Sequence, residues 1–133
     1  MPDATTLSAT ECDAMAKALR TAADAAKEAR KSLDGAADEY ADLQQQEDEL
    51  RDLADRTTAV AIERDTLLPD LSAAHLQAAM DAANETLAGL GKARATIRVI
   101  AGLVDFATAV LSRKPKAIWD SARILKGRID AVG

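Results

Sequence analysis

At 133 residues the chain has room for one domain, and a compact fold of that size buries roughly two thirds of its unfolded surface. Roughly a quarter of it is alanine, the aromatics are confined to Tyr40, Phe106 and Trp119, and the β-branched residues show no alternating run, which excludes a sheet-built domain. With 17 basic and 22 acidic side chains the net charge is −5, which disfavours a nucleic-acid partner.

Cys12 is the single cysteine, so no internal disulfide and no cysteine-based zinc cluster can form. It lies in a helical stripe, where a small buried hydrophobe is the expected role. The first residues carry neither the basic stretch nor the apolar core of a signal peptide. A cytoplasmic protein is the default expectation, with leaderless export the other route compatible with the sequence.

In chain order, residues 1–8 read as an extension. Ser8 and Glu11 have the spacing of a capping box, in which the hydroxyl and the carboxylate each satisfy an amide at the helix start. A 3-4 apolar repeat then runs through Cys12, Met15, Leu19, Ala22, Ala26, Ala29, Leu33, Ala36, Tyr40, Leu43, Glu47, Leu50 and Ala54. It keeps its phase past Gly35, so the spacing predicts one helical arm over 9–67. Pro69, with Ser72 as a cap, predicts a turn over 68–72. A second repeat through Leu76, Met80, Ala83, Leu87, Arg94, Ile97, Ala101, Val104 and Leu111 predicts a second arm over 73–113. Pro115 marks a kink or the first position of a C-terminal helix over 115–131.

Two arms of nearly equal length predict an all-α fold, a long antiparallel helical hairpin resembling a coiled coil and doubled back at Pro69. The alternative is the same helices folded into a three- or four-helix bundle, broken near Gly35 and near Gly89 to Gly91 or Pro115. The hairpin register sets the acidic stretch 38–55 against Lys92, Arg94 and Arg98, with the imperfect core site Glu47 beside Lys92.

Residues 97–111 are apolar on most sides, with only Arg98, Gly102, Asp105, Ala109 and Ser112 forming a polar or small line. A helix of this kind needs several neighbours or lipid. That stretch is shorter than the roughly 20 residues of a membrane span. The candidate partner or oligomer interface is therefore Ile97, Ile100, Leu103, Val104, Phe106, Val110, Leu111, Ile118 and Trp119. Charge is divided unevenly: residues 1–70 carry 8 bases and 17 acids, residues 71–133 carry 9 bases and 5 acids. Arg113, Lys114, Lys116, Arg123, Lys126 and Arg128 form the candidate basic contact surface.

No set of residues converges on catalysis. His75 is the single histidine, and no Glu stands at the spacing of helical di-metal sites. Gly89, Leu90, Gly91 and Lys92 lack the further glycine and the hydroxyl of a phosphate loop, because Thr86 and Ala93 hold those places. The acidic stretch has no glycine-centred calcium loop. No cofactor, metal or small-molecule substrate is expected. In outline the equal arms resemble the small helical hairpins of type VII secretion. Their Trp-x-Gly turn is replaced here by Leu68, Pro69, Asp70 and Leu71, and their tyrosine motif is unmet because Gln44 stands four residues after Tyr40. The sequence leads to a non-enzymatic protein–protein interaction module, homo-oligomeric or docking on a partner through 97–131. The alternative is a leaderless exported protein whose same region contacts or enters a bilayer.

Overall fold

The computed structural model describes residues 9–31, 33, 38–59, 73–89, 93–112 and 114–132. Five helices account for nearly all of them: α1 (Ala9–Lys31), α2 (Asp38–Ala59), α3 (Ala73–Gly89), α4 (Ala93–Ser112) and α5 (Pro115–Val132). No strand occurs among the described residues, in line with the composition. The expected cap at Ser8, the continuity through Gly35, the turn at 68–72 and the glycine–lysine pair Gly91 and Lys92 lie outside them.

Each helix buries one stripe. In α1 this is Cys12, Met15, Ala16, Leu19, Ala22, Ala23 and Ala26, the 3-4 pattern read from the sequence. Small side chains let neighbouring backbones come close, and α1 packs on α2, α3 and α4. Glu11 in its first turn and Arg30 and Lys31 in its last complement the helix dipole. The other helices contribute Leu43, Leu50, Met80, Ile100, Phe106, Ile118 and Leu125 to one shared core. Burying a Leu, Ile, Phe or Met side chain contributes about 1.5–3 kcal/mol against the entropy of ordering the chain.

Ion pairs fix the directions. Arg20 meets Asp55 at 3.1 Å, Asp24 meets Arg51 at 3.0 Å and Arg30 meets Glu47, so α1 and α2 run antiparallel. Along α2 and α4, Glu39 meets Arg94 and Gln46 donates to the Ile97 carbonyl, so this pair runs parallel. Gly102 lies against Leu125, and Arg128 donates to the Arg98 carbonyl at 3.0 Å, so α4 and α5 are antiparallel.

The extended arm expected over 9–67 is corrected by these contacts: α1 and α2 lie side by side, which a straight helix forbids. The physical reason is that a 3-4 stripe serves equally well against a distant arm or against the next helix of the same chain. Glu47 is met by Arg30 and Arg51; Lys92, which the hairpin register sets beside it, lies outside the described residues. Pro115 begins α5, where its missing N–H costs nothing, and the Ile118 amide donates to the Lys114 carbonyl at 2.9 Å to close the first turn.

Candidate interaction surface

The apolar segment of α4 finds most of its company within the chain. Ile100, Leu103, Phe106 and Val110 are buried, as is Ile118 on α5. They belong to the shared core and offer no surface to a partner in this fold. Gly102 permits the close crossing, since a Cβ there would lie 3.2 Å from the Leu125 side chain. Ile97, Val104 and Leu111 are half-buried at the edge of the core. Within the 20 residues of α4, an 18-residue window with a mean hydropathy of 1.6 meets the length and composition of a membrane span that 97–111 alone does not, and half of that window is buried here.

Trp119 is the one member of the sequence-derived apolar set that faces outward, 39% exposed, and Ile124 joins it at 52%. These are the two large hydrophobic side chains exposed among the described residues. At 3.6 residues per turn they stand about 140° apart around α5. The arc between them carries Lys116, Asp120 and Arg123, with Lys126 just beyond Trp119, and all four are exposed. Sequence reasoning missed Ile124, although it departs from the buried spacing of Ile118 and Leu125 as Trp119 does.

The candidate bases separate in space. Lys114, Lys116, Arg123 and Lys126 are exposed and have no ion-pair partner among the described residues. Arg128 is half-buried and turned onto the α4 backbone through its bond to the Arg98 carbonyl. Arg113 lies outside the described residues. A basic ridge edged by two hydrophobic side chains is therefore assembled on one helix.

On another side of α4, a cleft of about 290 Å³ opens between α2 and α4. Ile97, Ala101 and Val104 form its apolar part, and Asp42, Glu49 and Asp105 supply carboxylates around it, with Gln45 and Gln46. Asp42, Glu49 and Asp105 have no cationic partner among the described residues. Sequence reasoning passed over this cleft because its walls come from helices that are not consecutive. A second opening between α1 and α3 is lined by Lys17, Thr21, Gln77, Asp81 and Asn84, with Asn84 donating to the Ala18 carbonyl at 2.9 Å.

The remaining acidic groups of α2 are partly neutralised inside the fold. Glu47 accepts from Arg30 and from Arg51, whose Nη2 lies 2.9 Å away and also donates to Asp24 at 3.0 Å. Burial works to raise the Glu47 carboxyl, but the bonds from Arg51 and Arg30 outweigh it and hold it below the ordinary glutamate range. Glu39 is also held low, first by its own backbone amide and then by Arg94. The bond to Glu47 raises Arg30, whose guanidinium also stands 5.8 Å from the centre of the Tyr40 ring. Asp24 and then Glu47 raise Arg51. Glu47 with Arg30, Arg51 and Asp24 acts as a clamp between α1 and α2, while Glu39 with Arg94 ties α2 to α4.

Among the described residues no cluster of three or more His, Cys, Asp or Glu side chains could hold a metal ion. The side chain of His75 lies outside them. Cys12 is buried, which keeps its sulfur from reagents in solution. No family model matches the chain, and no curated protein or solved structure matches it.

Proposed function

We propose that the chain is a non-enzymatic helical interaction module, an adaptor, inhibitor or assembly component, that docks on protein through the outward face of α5. One observation carries this reading: Trp119 and Ile124 are both exposed on α5, beside bases that lack acidic partners among the described residues. Scattered surface hydrophobes are ordinary. Trp and Arg together on one helical face are the residue types that dominate binding energy when desolvated.

The test is a photo-crosslinking amino acid placed at Trp119 or Arg123 in the native host, with Asp13 and Lys27 on the exposed side of α1 as control positions. Defined protein adducts from α5 and none from α1 are expected. Adducts that are the same from all four positions would discard the reading.

A second reading is favoured by a separate observation, the length and hydropathy of α4 next to a basic helix bearing an exposed Trp. In it, α4 leaves the core and the region 97–131 lies on or enters an anionic bilayer. Flotation with phosphatidylglycerol vesicles tests it; protein that stays in the soluble fraction at every salt concentration rules it out.

A further inference from the structure

The basic ridge of α5 and the acidic cleft between α2 and α4 match in spacing as well as in charge. Lys116 and Arg123 are seven residues apart on one helix face, about 10.5 Å. Asp42 and Glu49 are also seven residues apart along α2, so their backbone positions repeat at the same distance. Trp119 lies between the two bases, and the apolar part of the cleft, Ile97, Ala101 and Val104, lies beside the two acids. Within one chain the ridge cannot reach the cleft. The ridge points away from α4, on which α5 packs through Leu125 and Gly102, and the cleft lies around the side of α4 from that crossing.

We infer that the occupant of the cleft is α5 of a second copy of this chain. The contact sets the ridge of one protomer in the cleft of the other. If two protomers exchange ridges reciprocally it closes as an isologous twofold dimer; otherwise it is heterologous and runs head to tail into a ring or an open filament. Lys116 and Arg123 lie along Asp42 and Glu49, and Trp119 covers the apolar patch, removing from water the surface that the fold leaves open. Charges at the rim of such a contact set orientation and encounter rate, while the buried Trp holds the complex. This rests on the reading of α5 as a contact surface.

Sedimentation velocity over a concentration series, at low and high salt, tests it on the whole purified chain. Wild-type protein is expected to associate, and more weakly as salt screens the rim charges. Lys116→Glu with Arg123→Glu in one variant, and Asp42→Lys with Glu49→Lys in another, are each expected to weaken association about tenfold or more. The two variants mixed together are expected to associate again, because each supplies the complement of the other. Circular dichroism checks that both stay helical.

Wild-type protein that is monomeric throughout overturns the inference, as does association that neither variant weakens, or a mixture that fails to recover. If the protein is monomeric while position 119 still cross-links to another protein in cells, ridge-in-cleft pairing fails and the interaction surface stands. If it is monomeric and instead floats with anionic vesicles through Lys116 and Arg123, the ridge is a lipid contact and both protein readings fall.

Discussion

Glu47 of α2 stands in the stripe between Leu43 and Leu50, and it is held there by an ion pair with Arg30 of α1. A carboxylate in that place is tolerable only because two guanidinium groups share it, and both of those retain contact with water: the Arg30 and Arg51 side chains are 18% and 40% exposed. Its charge thus selects how α1 and α2 align more than it adds to stability.

Acid is expected to loosen this clamp. Because the folded-state pKa of Glu47 is lowered, its contribution is complete above the ordinary value of 4.5 and is lost as pH falls through the depressed value. Glu39 acts in the same direction. Urea midpoints should therefore drop below about pH 4.5, and less steeply for Glu47→Gln than for the wild type. At neutral pH, Glu47→Ala should cost about 1–3 kcal/mol through the lost charged hydrogen bonds. Glu47→Leu, which continues the apolar stripe while the arginines turn to solvent, should remain within about 1 kcal/mol of wild type. A Leu variant as damaged as the Ala variant would show that the ion pair itself carries the stability of the α1–α2 pair.

Two glycines in helices should respond oppositely to added bulk. Gly127 has nothing within 4 Å of a Cβ, so Gly127→Ala should stabilise by about 0.5–1 kcal/mol, the helix propensity difference. At Gly102 a Cβ would meet the Leu125 side chain at 3.2 Å, the Arg128 side chain at 3.3 Å and the Leu125 backbone at 3.4 Å. There the same propensity gain opposes crowding, and Gly102→Ala should fall within about 1 kcal/mol of wild type. Gly102→Val should destabilise by about 1–3 kcal/mol as α4 and α5 are forced apart. Thermal unfolding by circular dichroism reads all three.

The helices were legible in the sequence because composition and a 3-4 repeat both constrain the backbone locally. The start of α5 at Pro115 was among the readings for the same reason. The fold-back between α1 and α2 stands only as the alternative, a bundle broken near Gly35, since the repeat keeps its phase from Leu33 to Tyr40 and phase carries no information about which helix the stripe faces. The partners of Glu47 carry the same ambiguity: its place in the stripe does not say which bases the fold brings beside it, and the packing of α1 on α2 supplies Arg30. Trp119 and the bases around it could be named from the sequence, but the core role of Phe106 and Ile100 could not be separated from an interface role. Both environments select the same apolar side chains. The cleft edged by Asp42 and Asp105 depends on α2 and α4 running side by side, a relation between helices distant in the chain.

Cys12 gives a probe of α1 packing. It is 6% exposed, against Met15 and its neighbours in the core stripe. A thiol reagent should modify it many-fold more slowly in native protein than in urea, with the native rate set by opening of α1 rather than by thiolate chemistry. If Cys12 reacts in native protein as fast as in urea, α1 is not docked in solution. Destabilising changes such as Gly102→Val should raise the native rate in proportion to the stability they remove, provided opening is global.

Core and interface roles for the apolar set can be separated by reading stability and association on the same variants. Phe106 is fully buried within one chain, so Phe106→Ala should lower stability by about 3–5 kcal/mol, with the melting temperature falling whatever the protein concentration. Leu103→Ala should behave alike, at about 2–5 kcal/mol. Trp119 is 39% exposed and Ile124 is 52% exposed, so Trp119→Ser and Ile124→Ser should shift monomer stability by no more than about 1 kcal/mol. Their effect should fall on association, read by sedimentation. The reverse outcome, with Trp119→Ser destabilising a strict monomer and Phe106→Ala abolishing assembly without loss of stability, would place the contact on α4 and require the helices to open before the chain meets its partner.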